Sequence, residues 1–352
     1  MRVQRLDFKD LTTAHRQQWD AYVGAEPTRH SPYYQLGFFD ALVGVGRPVE
    51  VLVAEDDQGV LAFLPFEQRD RRIVPAGGGM NDYQGPICRP GSAPDPVAMI
   101  RGGGLTRYHY NHLYPADLSG WARFNIKTMI SPQQFVAGGA EAYAGRLRSG
   151  GQKGEFKTSQ RLGRKLAREV GELSFTLDDR DPETLQQLIR WKSQQYRETG
   201  APDGFEDVWR GELLSNLLQS RDPAFRGLLA SLRAGDALVA VHYYLQSGKI
   251  LHSWFPTYDA DYARYSPGRV LAVTALDAMA EQGVEVMDMG KGDAMYKLRS
   301  MTQSVEVGEG VVDTSLLRVW TRRCRHDLVT WFKKTSVYGR LRAWKHRLKA
   351  AV

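Results

Sequence analysis

The sequence predicts an α/β (α+β) chain of two tandem lobes, each a mixed, twisted sheet flanked by helices, followed by a basic helical tail. The 352 residues, 42% of them hydrophobic, exceed one typical domain and can fill two cores of roughly 150 residues. In the second half a strand, a turn, a helix and another strand follow one another, which predicts a parallel crossover. The first half has a similar helix-then-strands order. We therefore predict lobes over 1–135 and 136–315 and a tail over 316–352.

The second lobe contains the segments that define its sheet. Runs rich in β-branched, aromatic and leucine residues, separated by glycine turns, predict its strands, and helical spacing predicts the connection between the last two. We expect strands at 228–233, 237–245, 249–255 and 284–289, and a helix that starts at 267.

Two histidines lie on neighbouring strands of this predicted sheet. A two-residue hairpin between the second and third strands would place Tyr243 opposite His252 and His242 opposite Ser253. We therefore expect the two histidine side chains to face opposite sides of the sheet.

The turn before the predicted helix has the features of an anion site. Ser266 is a suitable N-cap, because its hydroxyl can accept from a free amide, and Pro267 suits the first helical position. The amides from Gly268 to Val270 would then stay unpaired, and with the helix dipole and Arg269 they would attract a pyrophosphate or a carboxylate. In a parallel crossover the ligand lies outside the carboxyl ends of the strands, where this turn falls. A well-capped helix without a ligand is the alternative.

Four stretches of residues 150–310 resemble one known family. They read RKLAREVGELSF, LIRWKSQQYRETG, LRAGDALVAVHYYLQSGKILHSWFPTYDADYARYSPG and MDMGKGDAMYKLR. Together they are similar to the second lobe of the double-lobed, Fem-like branch of the GNAT superfamily, which includes the CelD-type acetyltransferases found with bacterial exopolysaccharide genes. The GNAT signature is Gln or Arg, two residues, Gly, one residue, then Gly or Ala. In this chain the corresponding segment keeps only the central glycine, Gly268.

The resemblance implies an N-acyltransferase with tandem GNAT-like lobes, whose donor is acetyl-CoA or another acyl-CoA. The residues implied to hold this donor are Tyr265, Ser266, Gly268, Arg269 and Val270. Asp82 and Tyr83 would lie on the acceptor side of the cleft between the lobes; a glycine-rich loop is the alternative there. The implied acceptor is an amino sugar, a glycan lipid or another amine-bearing precursor of an exported polysaccharide or cell-envelope polymer.

Acyl transfer to an amine needs a polarised carbonyl and a proton acceptor. Unpaired strand amides can polarise the thioester oxygen. Histidine needs no special tuning near neutral pH, so His252 is the first candidate base and His242 the second. Asp288 at a strand end, or Asp293 in the following loop, would serve if partial burial raised the pKa of the carboxyl group. A core histidine bonded to a backbone carbonyl is the alternative for each histidine.

Other polar residues suit binding roles, with ordinary surface charge as the alternative. Lys291 and Lys297 suit phosphate or carboxylate groups, and Tyr296 is a phenol that can protonate a leaving thiolate. A basic helical stripe in the bridge between the lobes could receive phosphates of a nucleotide sugar, a lipid diphosphate or the coenzyme. Its members are Lys157, Arg161, Arg164, Lys165 and Arg168.

The net charge of +7 comes from the tail. Residues 317–352 carry 11 of the 47 Lys and Arg but only one of the 40 acidic residues, so the rest has 36 basic against 39 acidic residues. Aromatic residues recur there at helical spacing between the cations, which suits an anionic membrane surface. A terminal helix pair packed on the body is the alternative. Nucleic acid is a weaker expectation, because no reading module is recognised.

Several function classes are not indicated. Cys88 and Cys324 provide no disulfide framework or cysteine metal site, and we expect no metal. The chain has no Gly-Lys-Ser/Thr phosphate loop and no Gly-x-Ser-x-Gly elbow. It shows no secretory signal and no apolar run of roughly 20 residues. We expect a cytoplasmic protein that can reach the inner face of the membrane through its tail.

Two alternative functions stay open. A Fem-like enzyme would use an aminoacyl-tRNA donor and a peptidoglycan-type acceptor, and binding of the tRNA by basic residues would weaken steeply with salt. A noncatalytic, membrane-associated adaptor would keep the lobes for binding only and would consume no thioester.

Overall fold

The computed structural model describes residues 1–69, 72–151, 154–315, 318 and 321. The predicted tail and its membrane-facing residues lie outside the described residues, apart from 318 and 321.

The first half of the described chain has the helix-then-strands order that the sequence predicts, and its strands are antiparallel except for one parallel pair. Thr12 begins the first helix as a true N-cap, because its side chain accepts from the His15 amide at 3.2 Å. The elements are β1 (Arg2–Asp7), α1 (Thr13–Ala25), α2 (Leu36–Gly44), β2 (Val49–Asp56), β3 (Gly59–Arg69), β4 (Arg72–Pro75), β5 (Ile87–Cys88), α3 (Pro96–Gly102), β6 (Arg107–Leu113) and β7 (Asn125–Phe135).

The second half confirms the predicted strand, turn, helix and strand. Its elements are α4 (Gly139–Ser149), α5 (Glu155–Glu169), β8 (Leu173–Thr176), α6 (Pro182–Thr199), α7 (Val208–Gln219), β9 (Arg226–Ala234), β10 (Ala237–Ser247), β11 (Ile250–Tyr258), α8 (Pro267–Glu281), β12 (Val286–Asp288), α9 (Met295–Ser300) and β13 (Gln303–Asp313). β11 and β12 are parallel and α8 connects them.

The predicted register between β10 and β11 is wrong. His252 lies opposite Leu245 and Ser253 opposite Tyr244, a shift of two residues from the prediction. The cause is the turn, which consists of residues 248 and 249 rather than 247 and 248. A β-bulge then leaves Trp254 without an opposite residue, because Phe255 pairs with Tyr243. The shift of two preserves the side-chain alternation, so His242 and His252 do face opposite sides of the sheet.

The two halves share one sheet and exchange strands. The order is β1-β2-β3-β4-β6-β13-β7-β12-β11-β10-β9-β8, with β5 beside β3. β13 comes from the end of the described chain but lies between β6 and β7 of the first half. β7 in turn pairs with β12 of the second half. The strand ladder therefore continues across the junction between the lobes.

The hydrophobic core also crosses this junction. One cluster joins Trp19 and Phe39 of the first half to Leu217, Tyr243 and Phe255 of the second. A second cluster lies on the opposite face of the second-half sheet, under α4, α5 and α8. Burial of apolar surface from both halves in one cluster stabilises their relative placement.

Gly310 in β13 offers a test of this strand exchange. A Cβ at Gly310 would lie 2.2 Å from the Phe124 carbonyl oxygen, a backbone atom that cannot rotate away. We expect Gly310→Ala to lower the free energy of unfolding by about 1–3 kcal/mol, measured by urea denaturation. Gly24→Ala in α1 is the matched control, because its Cβ would meet nothing within 4 Å and alanine favours helix. Equal stability of the Gly310 variant and the wild type would contradict the tight packing of β13.

Candidate active site

The parallel strands β11 and β12 separate immediately beyond one residue pair. Their pairing ends where His252 lies opposite Asp288. β11 continues to Tyr258, whereas the amide of Met289 donates to Pro132 of β7 at 3.0 Å. The two strands therefore diverge, and space opens between them on the carboxyl side.

This space is a cavity of about 380 Å³, which we call the splay cavity. Its walls come from β11, β12, α4, α5 and the start of α8, and they are mainly apolar. Residues on its wall include Ser253, Thr257, Gly268, Arg269, Met287 and Met289. Mainly apolar cavities of this size with a few polar groups are typical small-molecule sites.

The start of α8 differs in detail from the prediction. Ser266 occupies the N-cap position, but it has a left-handed backbone (φ 49°) and its hydroxyl makes no capping bond. The amides of Arg269 and Val270 are not free, because both donate to the Ser266 carbonyl, at 2.9 and 3.2 Å. Among the described residues the Gly268 amide has no such partner. The predicted anion site is thus reduced to one free amide at the cavity wall.

Three of the five predicted donor-binding residues reach this cavity. Ser266, Gly268 and Arg269 line it. Tyr265 and Val270 lie in the core behind it, and the Tyr265 hydroxyl bonds to Glu169 at 3.0 Å. The side chains of Tyr265 and Val270 are therefore not available to a ligand in the splay cavity.

A histidine and a serine form a polar pair on the wall of the splay cavity. His242 Nε2 lies 2.8 Å from Ser253 Oγ, and both residues line the cavity. Burial lowers the pKa of His242 to about 3, aided by the charges of Lys192 and His252. The imidazole is therefore neutral at physiological pH and a weak proton acceptor.

A second cavity lies on the opposite face of β11, between the lobes, and we call it the inter-lobe cavity. It has a volume of about 280 Å³. Because of the β-bulge, Trp254 and Phe255 both contribute to it although they are neighbours in sequence. Its charged residues are Asp82 from the first lobe and Arg210 from α7.

Asp82 connects the inter-lobe cavity to His252. The His252 Nε2 atom lies 3.0 Å from Asp82 Oδ2, and a carboxylate can only accept, so Nε2 carries the proton and donates it. Asp82 is 29% exposed, whereas the His252 side chain is fully buried and lines neither cavity. His112 on β6 lies 3.7 Å from the other oxygen, Asp82 Oδ1. The site therefore combines a partly exposed carboxylate with two histidines from different lobes.

Asp288 is the buried anchor of this site. Its carboxylate accepts from Tyr83 Oη, from Ser131 Oγ at 3.1 Å, from Gln133 Nε2 at 2.7 Å and from the Gly290 amide at 2.8 Å. Four donors occupy the oxygens of a residue that is 2% exposed. Asp288 is therefore held as an acceptor within the protein, and it lines neither of the two cavities.

The charges around Asp82 shift several pKa values. Burial raises the pKa of Asp82, but the hydrogen bond and charge of His252, with His112 and Lys297, outweigh this and hold it below its ordinary value. Burial lowers the pKa of His112 to about 4, against the attraction of Asp82. Burial also lowers the pKa of Lys297 and of Lys291. Asp82 is thus ionised and His112 neutral at physiological pH.

The remaining predicted residues differ in their hydrogen-bond partners and in whether they line a cavity. Lys297 Nζ donates to the Gly290 carbonyl at 3.0 Å, and Lys291 Nζ to the Asn111 carbonyl at 2.7 Å, so both amines are engaged by backbone. Tyr296 lines the splay cavity and is 54% exposed. Asp293 is exposed and lines neither cavity.

The basic stripe lies on α5, as predicted. Lys157, Arg161, Arg164 and Arg168 are exposed, while Lys165 lies over the Tyr265 ring at 5.7 Å. Phe156 and Ser159 of the same helix line the splay cavity. The stripe is therefore next to that cavity.

Sequence reasoning missed His112, Gln133 and Arg210. Each reaches the site from a distant part of the chain: β6, β7 and α7. A local signal existed only for β6, where His112 follows the buried Tyr108 and Tyr110 at even spacing, which places all three on one face. The approach of these residues to β11 is a property of the tertiary fold.

Comparisons with known proteins agree with the fold. Residues 155–298 match the model of the acetyltransferase (GNAT) domain family. The solved structure of FemX has a TM-score of 0.56 at 10% identity, covering 87% of this chain and 97% of FemX. A tandem GNAT protein from the clavulanic acid biosynthesis pathway has a TM-score of 0.52 at 9% identity, covering 89% of this chain and 98% of that protein.

A third solved structure is the C-terminal domain of a proposed lysylphosphatidylglycerol synthetase from Agrobacterium fabrum. Its TM-score is 0.54 at 15% identity, covering 86% of this chain and 94% of that domain. No curated protein matches the chain. The second lobe therefore carries a GNAT domain, and the described chain has the double-lobed, Fem-like GNAT fold. This fold is the one shared by GNAT-type acyltransferases.

The described residues contain no cluster of three His, Cys, Asp or Glu side chains arranged to hold a metal ion. Among the described helices, none combines the length and the apolarity that a membrane span requires.

The buried histidines predict a pH dependence of stability. The unfolded chain protonates His112 and His242 near pH 6.5, whereas the folded protein keeps them neutral to about 4 and about 3. The unfolded state thus binds more protons, and the free energy of unfolding falls as pH drops below 6.5, by up to about 1.4 kcal/mol per pH unit per histidine. Urea denaturation from pH 7.5 to 5.0 measures this decline, and His112→Asn should remove about half of it. A flat profile in the wild type would contradict neutral burial.

Proposed function

We propose that the protein is an acyl-CoA-dependent N-acyltransferase, of the acetyl or a longer-chain type. Its acceptor is the amine of an amino sugar or another amine-bearing precursor of an exported polysaccharide or cell-envelope polymer. The observation that carries this proposal is the separation of β11 and β12 beyond His252 and Asp288, with the splay cavity between them and the start of α8.

The splay cavity suits the donor. Its apolar walls can hold the extended arm of the coenzyme, and strand backbone beyond the last β11–β12 pair is available to polarise a thioester carbonyl. Gly268 and Arg269 lie at one end, where an amide, the dipole of α8 and a guanidinium can receive the pyrophosphate. The polar Ser253–His242 pair can orient an amide or carbonyl group of the donor.

The inter-lobe cavity suits the acceptor. It lies on the other face of β11, and Asp82 presents an ionised carboxylate there. A carboxylate attracts an ammonium group, and the faces of Trp254 and neighbouring aromatic rings can pack against a sugar ring or a cation. Donor and acceptor would meet where the strands part.

The proposed reaction assigns a role to each of the central residues. The neutral amine attacks the thioester carbon, the C–N bond forms and the C–S bond breaks. As the C–N bond forms, the nitrogen becomes positively charged and acidic, so the ionised Asp82 Oδ1 can take its proton although the pKa of this carboxyl group is lowered. Asp82 Oδ1 makes no hydrogen bond to the described residues. The leaving thiolate gains a proton, for which Tyr296 on the wall of the splay cavity is the proposed phenol. His252 is buried, so its proposed role is to hold Asp82 by the 3.0 Å hydrogen bond.

Gly268 tests the donor site. A Cβ at this position meets only Tyr258, at 3.6 Å, so Gly268→Ala should bind donor normally. We expect Gly268→Trp, which fills the cavity wall, to weaken acyl-CoA binding at least about tenfold, or 1.4 kcal/mol, by calorimetry with acetyl-CoA, longer acyl-CoAs and free coenzyme. Equal affinity of all three proteins would place the donor elsewhere.

Asp82 and His252 test the chemistry. We expect Asp82→Asn to lower kcat by at least about 10²-fold, since the amide cannot accept the proton, and His252→Ala to slow turnover without changing donor affinity. Release of free thiol measures both. Asp293→Asn, on the exposed loop, is the comparison and should match the wild type. The assignment fails if Asp82→Asn retains full turnover at neutral pH.

A second candidate function is aminoacyl transfer from tRNA, the Fem-like alternative. The exposed cations of α5 beside the splay cavity favour it, because such a face can contact nucleic-acid phosphates. Binding of aminoacyl-tRNA that weakens steeply with salt, together with no heat from any acyl-CoA, would support it.

Absence of thioester consumption with every amine, together with liposome binding, would instead favour a noncatalytic adaptor. A cytoplasmic location, with residues 317–352 at an anionic membrane, remains part of the proposal.

A further inference from the structure

The inter-lobe cavity holds two opposite charges. Asp82 lies on the first-lobe side, and Arg210 of α7 lines the same cavity of about 280 Å³. The other side chains on its walls are apolar or aromatic and include Met80, Tyr196, Phe205 and Trp254. Glycine backbone at 78, 79 and 204 completes the walls.

Within the described part of the chain, Arg210 forms no ion pair with a buried carboxylate. Its guanidinium donates to the Gly204 carbonyl and, at 3.3 Å, to the Gly78 carbonyl, which are neutral acceptors. Its Nε is buried and has no hydrogen-bond partner in the described part of the chain. The carboxylate it approaches is Asp207, at 3.6 Å, and that side chain is 60% exposed.

Arg47 shows what a balanced arginine looks like in this protein. Its guanidinium bonds to both oxygens of Glu67, whose side chain is fully buried. The charge of Arg47 is thus neutralised within the fold. Arg210 is about as buried, with 20% of its side chain exposed against 19% for Arg47, yet it lines a cavity and lacks such a partner.

Asp82 likewise has capacity left for a ligand. One of its oxygens accepts from His252, and the other makes no hydrogen bond to the described residues. The lowered pKa of this carboxyl group keeps it charged. A ligand in the cavity would therefore meet a carboxylate and a guanidinium at once.

We propose that the acceptor is a compact amine that also carries an anionic group, a carboxylate or a phosphate. Asp82 takes the amine and Arg210 takes the anion, while the aromatic walls cover the body of the molecule. This inference rests on the proposed function, which it deepens by naming the acceptor class. A charge-assisted pair with arginine is stronger than a neutral hydrogen bond, so the anion gives both affinity and orientation.

The experiment compares acceptors that differ only in the anion. Glucosamine is set against glucosamine 6-phosphate, and alanine amide against alanine, with release of free thiol from acyl-CoA as the readout. In at least one of the two pairs, we expect kcat/KM of the wild type to be at least about tenfold higher for the anionic member than for the neutral member, which is equivalent to 1.4 kcal/mol. Arg210→Gln should remove this preference, so that the variant uses the charged and the neutral member of the pair with similar kcat/KM.

Controls separate charge from folding. Arg190→Gln replaces an exposed arginine on the neighbouring helix α6 and should keep the full preference. Arg210→Lys retains the positive charge but not the planar guanidinium that binds an anion with two hydrogen bonds, so this variant should keep part of the preference. The inference is overturned if the wild type uses neutral and anionic acceptors equally, or if Arg210→Gln keeps the preference.

Binding of the same acceptors without donor distinguishes this inference from the proposed function. Calorimetry that detects the anionic amines, in an Arg210-dependent manner, supports the inference even if no thiol is released, in which case the proposed donor is at fault. No difference in affinity between the members of either pair overturns the inference whatever the donor.

Discussion

The hydrogen bonds to the Asp288 carboxylate set the geometry on which the site depends. A carboxylate with almost no exposure is tolerated only where hydrogen-bond donors surround it. Here the donors are Tyr83 in a loop of the first lobe, Ser131 and Gln133 of β7, and the Gly290 amide. Tyr83 is adjacent to Asp82, so the bond that holds Tyr83 also keeps Asp82 against His252. The same carboxylate marks the last pair of β11 and β12. One buried charge thus joins the lobes and fixes where the strands separate.

The two cavities follow from β11 itself. Side chains of a strand alternate between faces, so Ser253 reaches the splay cavity and His252 the Asp82 side. The bulge at Trp254 interrupts this alternation and turns two successive rings towards the inter-lobe cavity. A single strand therefore separates a mainly apolar space from one with opposite charges, and its end is the place where molecules in both could come into contact.

Local pattern was sufficient to predict the fold class and part of the fold. Periodicity and turn residues predicted the helix-then-strands order of the first half, four strands of the second half and the parallel crossover, because each depends on neighbours in sequence. The strands β6, β7 and β13 at the junction were not predicted. The β10–β11 register was wrong because the sequence does not fix which two residues form the turn. The left-handed backbone of Ser266 was not predicted either, because a serine at the N-cap position usually has an extended backbone. His112 and Arg210 depend on packing between distant elements, and no local signal places them beside Asp82.

The position of β13 has a consequence for synthesis of the chain. β6 ends at residue 113 and β7 at residue 135, whereas β13 begins at residue 303, so the ribosome completes both strands long before the strand that lies between them. Until then β6 lacks its neighbour on one edge and β7 lacks both β13 and β12, so the nascent first half carries open strand edges that can pair with another chain. Protection of those edges during translation, by a chaperone or by rapid completion of the polypeptide, is a requirement that follows from the topology alone.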